Sequence, residues 1–236
     1  MQNSTAKKFR QYEYVDELPS MPLARNIKRN SQTVAKRTNL KLDEEEQLVA
    51  AFREYVRLEM EIDMAKSRLA SQDDFNLMDA YQMIDKNSKG WVTAPELLEA
   101  LFELGSSPHK DDVFLFVRRY DRDGDGRILY SDFCDAFTPA DEGLANALQR
   151  RPAEHIQQGY CRTHFFTMET RNMFLSTFRS HFTIEESAEL IRKRLSRRPN
   201  FNVHEAFLAL DRDSNGYISR SELRIILSDH GVFANE

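Results

Sequence analysis

Apolar residues return every three or four positions through most of the chain, in blocks separated by short polar, glycine-bearing stretches. From Asp43 onward, Leu48, Phe52, Tyr55, Leu58, Met60, Ile62 and Leu69 recur in this way within DEEEQLVAAFREYVRLEMEIDMAKSRL. The spacing predicts one long helix with a ragged apolar face. Asp43, with Glu46 three residues on, offers a capping box at its start. The same periodicity predicts helices over 74–84, 94–104, 111–120 and 130–137, and a short one near ADEGLANALQR. A second long helix is expected over 170–197, broken near Thr183, where TIEE offers a fresh cap. Two more follow over 200–210 and 219–229, and the polar stretches 85–96, 121–132 and 211–222 lie between helix pairs. The expected fold class is all-α, built of helix–loop–helix units with long flanking helices.

The pattern is duplicated. Shifted by 126 residues, 52–105 aligns without a gap on 178–231, with 15 identities in 54 positions. They include Phe52/Phe178, Arg53/Arg179, Leu69/Leu195, Phe75/Phe201, Asn76/Asn202, Asp85/Asp211, Gly90/Gly216 and Glu96/Glu222. Such agreement at one fixed offset points to a common ancestral unit. The chain therefore divides into an arm (1–42), a long helix with two loops (43–138), a connector (139–169), and a long helix with one loop (170–236). Nothing after residue 232 in the sequence corresponds to the second loop. The apolar flank of the third loop is then expected to be covered by another molecule's loop, or by a surface elsewhere such as the GYCRTHFF connector.

Each loop is twelve residues long and rich in oxygen donors at alternate positions. A hard cation such as Ca²⁺ takes about seven oxygens, which such a loop supplies from positions 1, 3, 5, 7, 9 and 12 around a glycine at position 6. DRDSNGYISRSE places Asp211, Asp213 and Asn215 at 1, 3 and 5, with Gly216 at 6. The Tyr217 carbonyl, Ser219 and Glu222 complete this candidate set. DRDGDGRILYSD offers Asp121, Asp123, Asp125, the Arg127 carbonyl and Asp132. Its Leu129 at position 9 cannot ligate, and Asp132 is one methylene shorter than glutamate, which favours weaker Ca²⁺ binding or a site that admits Mg²⁺. DKNSKGWVTAPE keeps Asp85, Asn87 and Glu96 but puts Lys89 at position 5, an ammonium where a ligand belongs. That loop is expected to hold no metal, with Lys89 paired to Asp85 or Glu96 in place of the cation and Val92 bridged to Ile128. Ile218 occupies the same bridging position in the third loop.

These loops resemble EF-hands, the superfamily of calmodulin and troponin C. Over roughly 44–233 the repeat is also similar to EF-hand repeat proteins of cilia and flagella, through RLSRRPNFNVHEAFLALDRD, RRYDRDGDGRILYSDFCDAFTPADE and SDHGVFANE. Some of those proteins line or decorate axonemal doublet microtubules. The resemblance implies a calcium-binding structural or assembly component of the ciliary axoneme, cytoplasmic and cytoskeletal, with tubulin or other axonemal proteins as partners. The alternative is a soluble calmodulin-like sensor that binds a target helix on calcium loading. For that purpose Phe75, Met78, Met83 and Phe114–Phe116 are candidates to line a groove, although their spacing suits ordinary core.

Charge refines this picture. The formal net charge is −5, yet residues 1–42 carry nine Lys and Arg against three acids, leaving a +6 arm on a −11 body. The arm has no sustained apolar period and is expected to be extended, seeking an acidic protein surface. It lacks interleaved aromatics, so nucleic acid is an unfavoured partner. No apolar run approaches the roughly 20 residues of a membrane span, and no secretory signal opens the chain. Cys134 and Cys161 are expected to be reduced thiols. The six histidines have no zinc spacing, and no phosphate loop, nucleophile elbow or kinase signature occurs, so no enzymatic activity is expected.

Overall fold

The structure is a computed structural model, which describes residues 39–153 and 164–231. The arm to residue 38, most of GYCRTHFF with Cys161, and residues 232–236 lie outside the described residues. The described residues form nine helices and one two-stranded sheet: α1 (Leu42–Ala70), α2 (Leu77–Ile84), β1 (Trp91–Thr93), α3 (Ala94–Glu103), α4 (Lys110–Tyr120), β2 (Arg127–Leu129), α5 (Tyr130–Phe137), α6 (Glu142–Arg150), α7 (Met168–Ser196), α8 (Val203–Leu210) and α9 (Arg220–Asp229). The fold is all-α, as the periodicity predicts.

The duplication carries into the backbone. α1 and α7 are both 29 residues long, and α1, α2 and α3 begin and end 126 residues before α7, α8 and α9. Even the rare left-handed conformations repeat, with φ 50° at Ser88 and 58° at Ser214, and 83° at Gly90 and 82° at Gly216. α2 and α8 start three residues later than their periodicity suggests, because Asn76 and Asn202 cap them. The Asn76 side chain accepts from Asp79 N at 2.8 Å, and that of Asn202 from His204 N at 2.8 Å.

Two expectations about the long helices fail. Lys41, not Asp43, is the N-cap of α1, and Asp43 sits in the first turn. The carboxylates of Asp43 and Glu44 are engaged by Arg198. Nor does α7 break at Thr183. Thr183 is exposed, while Phe178, Phe182, Ile184, Ala188 and Ile191 are buried on both sides of it. Continuous tertiary packing of one face outweighs a local cap signal.

α1 and α7 run antiparallel along each other. Leu58 and Ile62 meet Ile184 and Ile191 near the crossing, and Arg194 near the end of α7 reaches Glu54 of α1 at 3.8 Å. Beyond the crossing each helix packs into the other repeat. Phe174, Phe178 and Phe182 of α7 join a cluster with Phe75, Met83, Phe116, Phe133 and Phe137 of the first and second helix–loop–helix units. Leu40, Leu48, Val49 and Phe52 join Ala206, Leu210, Ile226 and Leu227 of the third. Leu40/Phe166, Leu48/Phe174, Val49/Leu175 and Phe52/Phe178 are equivalent pairs at the 126-residue offset, and all eight residues contribute to these two clusters. The two repeats thus exchange their long helices reciprocally. Of the candidate groove residues, Phe75, Met83 and Phe116 are core, while Met78 and Phe114 remain exposed.

Candidate metal centres

In the first loop β1 pairs antiparallel with β2, with Val92 opposite Ile128. Asp85 stays inside the loop, its Oδ2 accepting from Gly90 N at 2.7 Å and its Oδ1 from Lys89 N at 3.0 Å. The Lys89 ammonium forms an ion pair with Glu96 and lies 3.4 Å from the centroid of the Trp91 ring. The Arg127 guanidinium sits 4.3 Å from the same ring. Lys89, followed by the Thr93 backbone and hydroxyl, lowers the Glu96 pKa to about 2. Asn87 is exposed at position 3. This loop carries its own cation where the others gather oxygens.

In the second loop, carboxylate oxygens of Asp121, Asp123 and Asp125 come within 4.8 Å of one another. Asp121 accepts from Gly126 N at 2.7 Å and Gly124 N at 2.8 Å. Its slight burial raises the pKa, but the Gly126 and Gly124 hydrogen bonds outweigh that, and the net shift is downward. Asp123, hydrogen-bonded to Asp121, is shifted upward. Asp132 does not join this group. Its carboxylate caps α5 instead, accepting from Leu129 N at 3.0 Å.

The third loop gathers Asp211, Asp213 and Glu222 within the same 4.8 Å. Asp211 Oδ2 accepts from Gly216 N at 2.9 Å, and Asp213 Oδ1 from Asn215 N at 3.1 Å. Asn215 Nδ2 donates to Asp213 Oδ2 at 2.9 Å. Glu222 spans the loop. Its Oε2 accepts from Ser219 Oγ at 2.6 Å and Ser219 N at 2.8 Å, and its Oε1 from Arg212 N at 2.9 Å. The Ser219 hydroxyl, then its backbone N–H, hold the Glu222 pKa at about 2. The contrast with Asp132 is one methylene: both acids cap their helix, but only the longer one also reaches the carboxylates of positions 1 and 3. Tyr217 is exposed. Ile218 is 40% exposed and belongs to no strand pair among the described residues. The apolar inner face of this unit is covered by α1, and the described connector residues Phe165 and Phe166 pack in the first cluster.

In both clusters the donors are hard oxygens around a glycine held at φ 81° (Gly126) or 82° (Gly216), so the residues present fit a cation such as Ca²⁺. Comparison with known proteins agrees. Residues 74–138 match an EF-hand domain pair and residues 202–231 an EF-hand domain. A protein of Arabidopsis thaliana named as a probable calcium-binding protein is 44% identical over 64 residues, which is 27% of this chain and 75% of that protein. The chain is an EF-hand protein. A protein of Oryza sativa subsp. japonica named as a putative calmodulin-like protein is 24% identical over 166 residues, covering 70% of this chain and 68% of its own length. The 18 kDa dynein light chain of the flagellar outer arm of Chlamydomonas reinhardtii is 26% identical over 154 residues, 63% of this chain and 84% of that protein. The loops are therefore EF-hand loops of a calcium-binding protein, and among the described residues no helix is long and apolar enough to cross a membrane.

One functional group was missed by sequence reasoning. Arg119, just ahead of the second loop, bridges Glu59 of α1 at 2.5 Å and Glu185 of α7, residues equivalent at the 126-residue offset. Its neighbour Tyr120 shares a 3.1 Å hydrogen bond with Nδ1 of the fully buried His181. Burial, then the charges of Lys66 and Arg119, push the His181 pKa well down, so the imidazole stays neutral. Only the identity of Glu59 and Glu185 between the copies hinted at this hub.

Proposed function

We propose that this EF-hand protein is a non-enzymatic structural component of the ciliary axoneme, bound along the doublet microtubules, rather than a sensor. The observation that carries this reading is the reciprocal exchange of α1 and α7. A sensor answers calcium by opening a cleft for a target helix, but here each repeat's apolar cleft already holds a helix of the other repeat. The similarity to a flagellar outer-arm dynein light chain supports the ciliary setting. The +6 arm supplies a counterpart for an acidic protein surface such as that of tubulin.

Calcium in this reading is a rigidifying ligand. Asp211, Asp213, Asn215, the Tyr217 carbonyl, Ser219 and Glu222 hold it in the third loop. Asp121, Asp123, Asp125 and the Arg127 carbonyl hold it more weakly in the second, where Asp132 leaves the shell short and Mg²⁺ competes. The first loop, with Lys89 on Glu96, takes none.

The reading is tested by tagging the protein in ciliated cells and extracting the membrane and matrix with detergent. Retention on the axoneme is expected, and loss into the soluble fraction defeats the axonemal role. The calmodulin-like relatives keep the sensor reading alive. It gains if calcium titration of the pure protein raises binding of an apolar dye, and an unchanged signal removes it.

A further inference from the structure

The paired hands show what the third hand lacks. In the first hand, Tyr81 and Val92 face the second. Tyr81 Oη donates to the Ile128 carbonyl at 3.0 Å, and its ring packs edge-on to Tyr130 and Phe133 at 5.5 Å. Val92, opposite Ile128, is 1% exposed. The equivalents 126 residues on are Phe207 and Ile218. They remain apolar, yet Phe207 is only half-buried and Ile218 is 40% exposed. Tyr217, equivalent to the strand residue Trp91, is 77% exposed, and Val203, equivalent to the buried Leu77, is 76% exposed. A solvated face has no use for this apolar chemistry, and an unpaired strand edge invites another strand.

We propose that this face is a self-association surface, on which a second copy of the chain docks its own third hand, edge to edge through Tyr217–Ser219. Three observations select that occupant. The other edges of this kind among the described residues, β1 and β2, are already paired with each other. The partner that the equivalent face accepts in the first repeat is itself a hand, paired antiparallel over three residues. An antiparallel pair of identical edges is two-fold symmetric, so a second third hand satisfies the geometry with the axis beside Ile218. Tyr217, Ile218 and Ser219 carry no charge, so juxtaposing two such edges brings no like charges together along the bridge. The docking face is separate from the cleft filled by α1, and it does not depend on the axonemal reading.

Sedimentation of the full chain over a concentration series, in calcium and in chelator, tests this directly. A concentration-dependent doubling of mass in either buffer is expected. Ile218→Lys and, independently, Tyr217→Asp should each weaken association by about tenfold or more. Both residues are exposed, so helical circular dichroism should stay unchanged. Phe102→Ser, which alters an exposed apolar residue on α3 (53% exposed), should leave association as it is. A monomer in both buffers overturns the proposal, as does a dimer that neither edge variant weakens.

Discussion

Lys89 and Asn215 occupy the same position of two copies of one loop, and this difference, with Asn87 against Asp213 two positions earlier, separates a self-neutralised hand from a metal-ready one. In the first, the ammonium of Lys89 satisfies Glu96 and rests on Trp91. In the third, Asn215 bonds Asp213 and leaves three carboxyl groups converging. Lys89→Asn should therefore raise the calcium stoichiometry by one ion per chain in titration calorimetry, and unchanged stoichiometry would refute the cation-replacement argument. The same pair has a pH signature. The folded pKa of Glu96 is about 2 against an ordinary 4.5. Its contribution is complete above about pH 4.5 and is lost as the pH falls through about 2. In chelator, Lys89→Met should flatten the loss of melting temperature across that window, and a slope equal to that of the wild type would count against it. The convergence of Asp121, Asp123 and Asp125, and of Asp211, Asp213 and Glu222, was legible from spacing because loop chemistry is local. Failure of Asp132 to join its group was readable only as a tendency of a shorter side chain. The hub at Arg119 was not legible, since its partners lie 60 and 66 residues away.

At the scale of elements, helix existence followed from periodicity, but helix ends and continuity did not. The asparagine caps trimmed α2 and α8, and Asp43, paired with Arg198, is not the cap of α1, because each side chain has several competing partners that sequence cannot rank. α7 is the sharper case. Its local cap signal at Thr183 was genuine chemistry overruled by buried neighbours on both sides. Thr183→Pro tests the outcome, since Thr183 is exposed and its loss removes little packing. In an unbroken helix, proline there forfeits a backbone hydrogen bond and clashes with the preceding turn, for a cost of about 3 kcal/mol in urea unfolding. A helix that broke at Thr183 would tolerate it with little change. Phe178→Ala and Phe52→Ala form a second comparison. Phe178 is fully buried among Phe116, Phe137, Phe174 and Phe182, so its truncation should cost about 3–5 kcal/mol. The half-buried Phe52 should cost less, and an equal cost would mean that the two clusters are not the unequal cores seen here.

For the whole molecule, the duplication was legible but its arrangement was not. Leu48/Phe174 and Phe52/Phe178 are apolar in both copies, so either helix could have covered its own hand, and the pattern reads identically both ways. The exchange places the equivalent glutamates Glu59 and Glu185 close enough for one Arg119 to hold both, from the helix that leads into the second loop. Glu185 is almost fully buried and Glu59 about one-third exposed, and removing the shared cation leaves two carboxylates facing each other, with Arg192 at 3.8 Å from Glu185 as a more distant counter-charge. Arg119→Met should therefore cost about 3 kcal/mol at neutral pH. The stability gap between variant and wild type is read by urea unfolding in chelator. Adding Glu59→Gln to Arg119→Met should recover part of the loss at pH 7.5 by removing one of the opposed charges. A double variant no more stable than Arg119→Met would mean that the helix exchange is held by its apolar faces and that Arg119 only decorates the crossing.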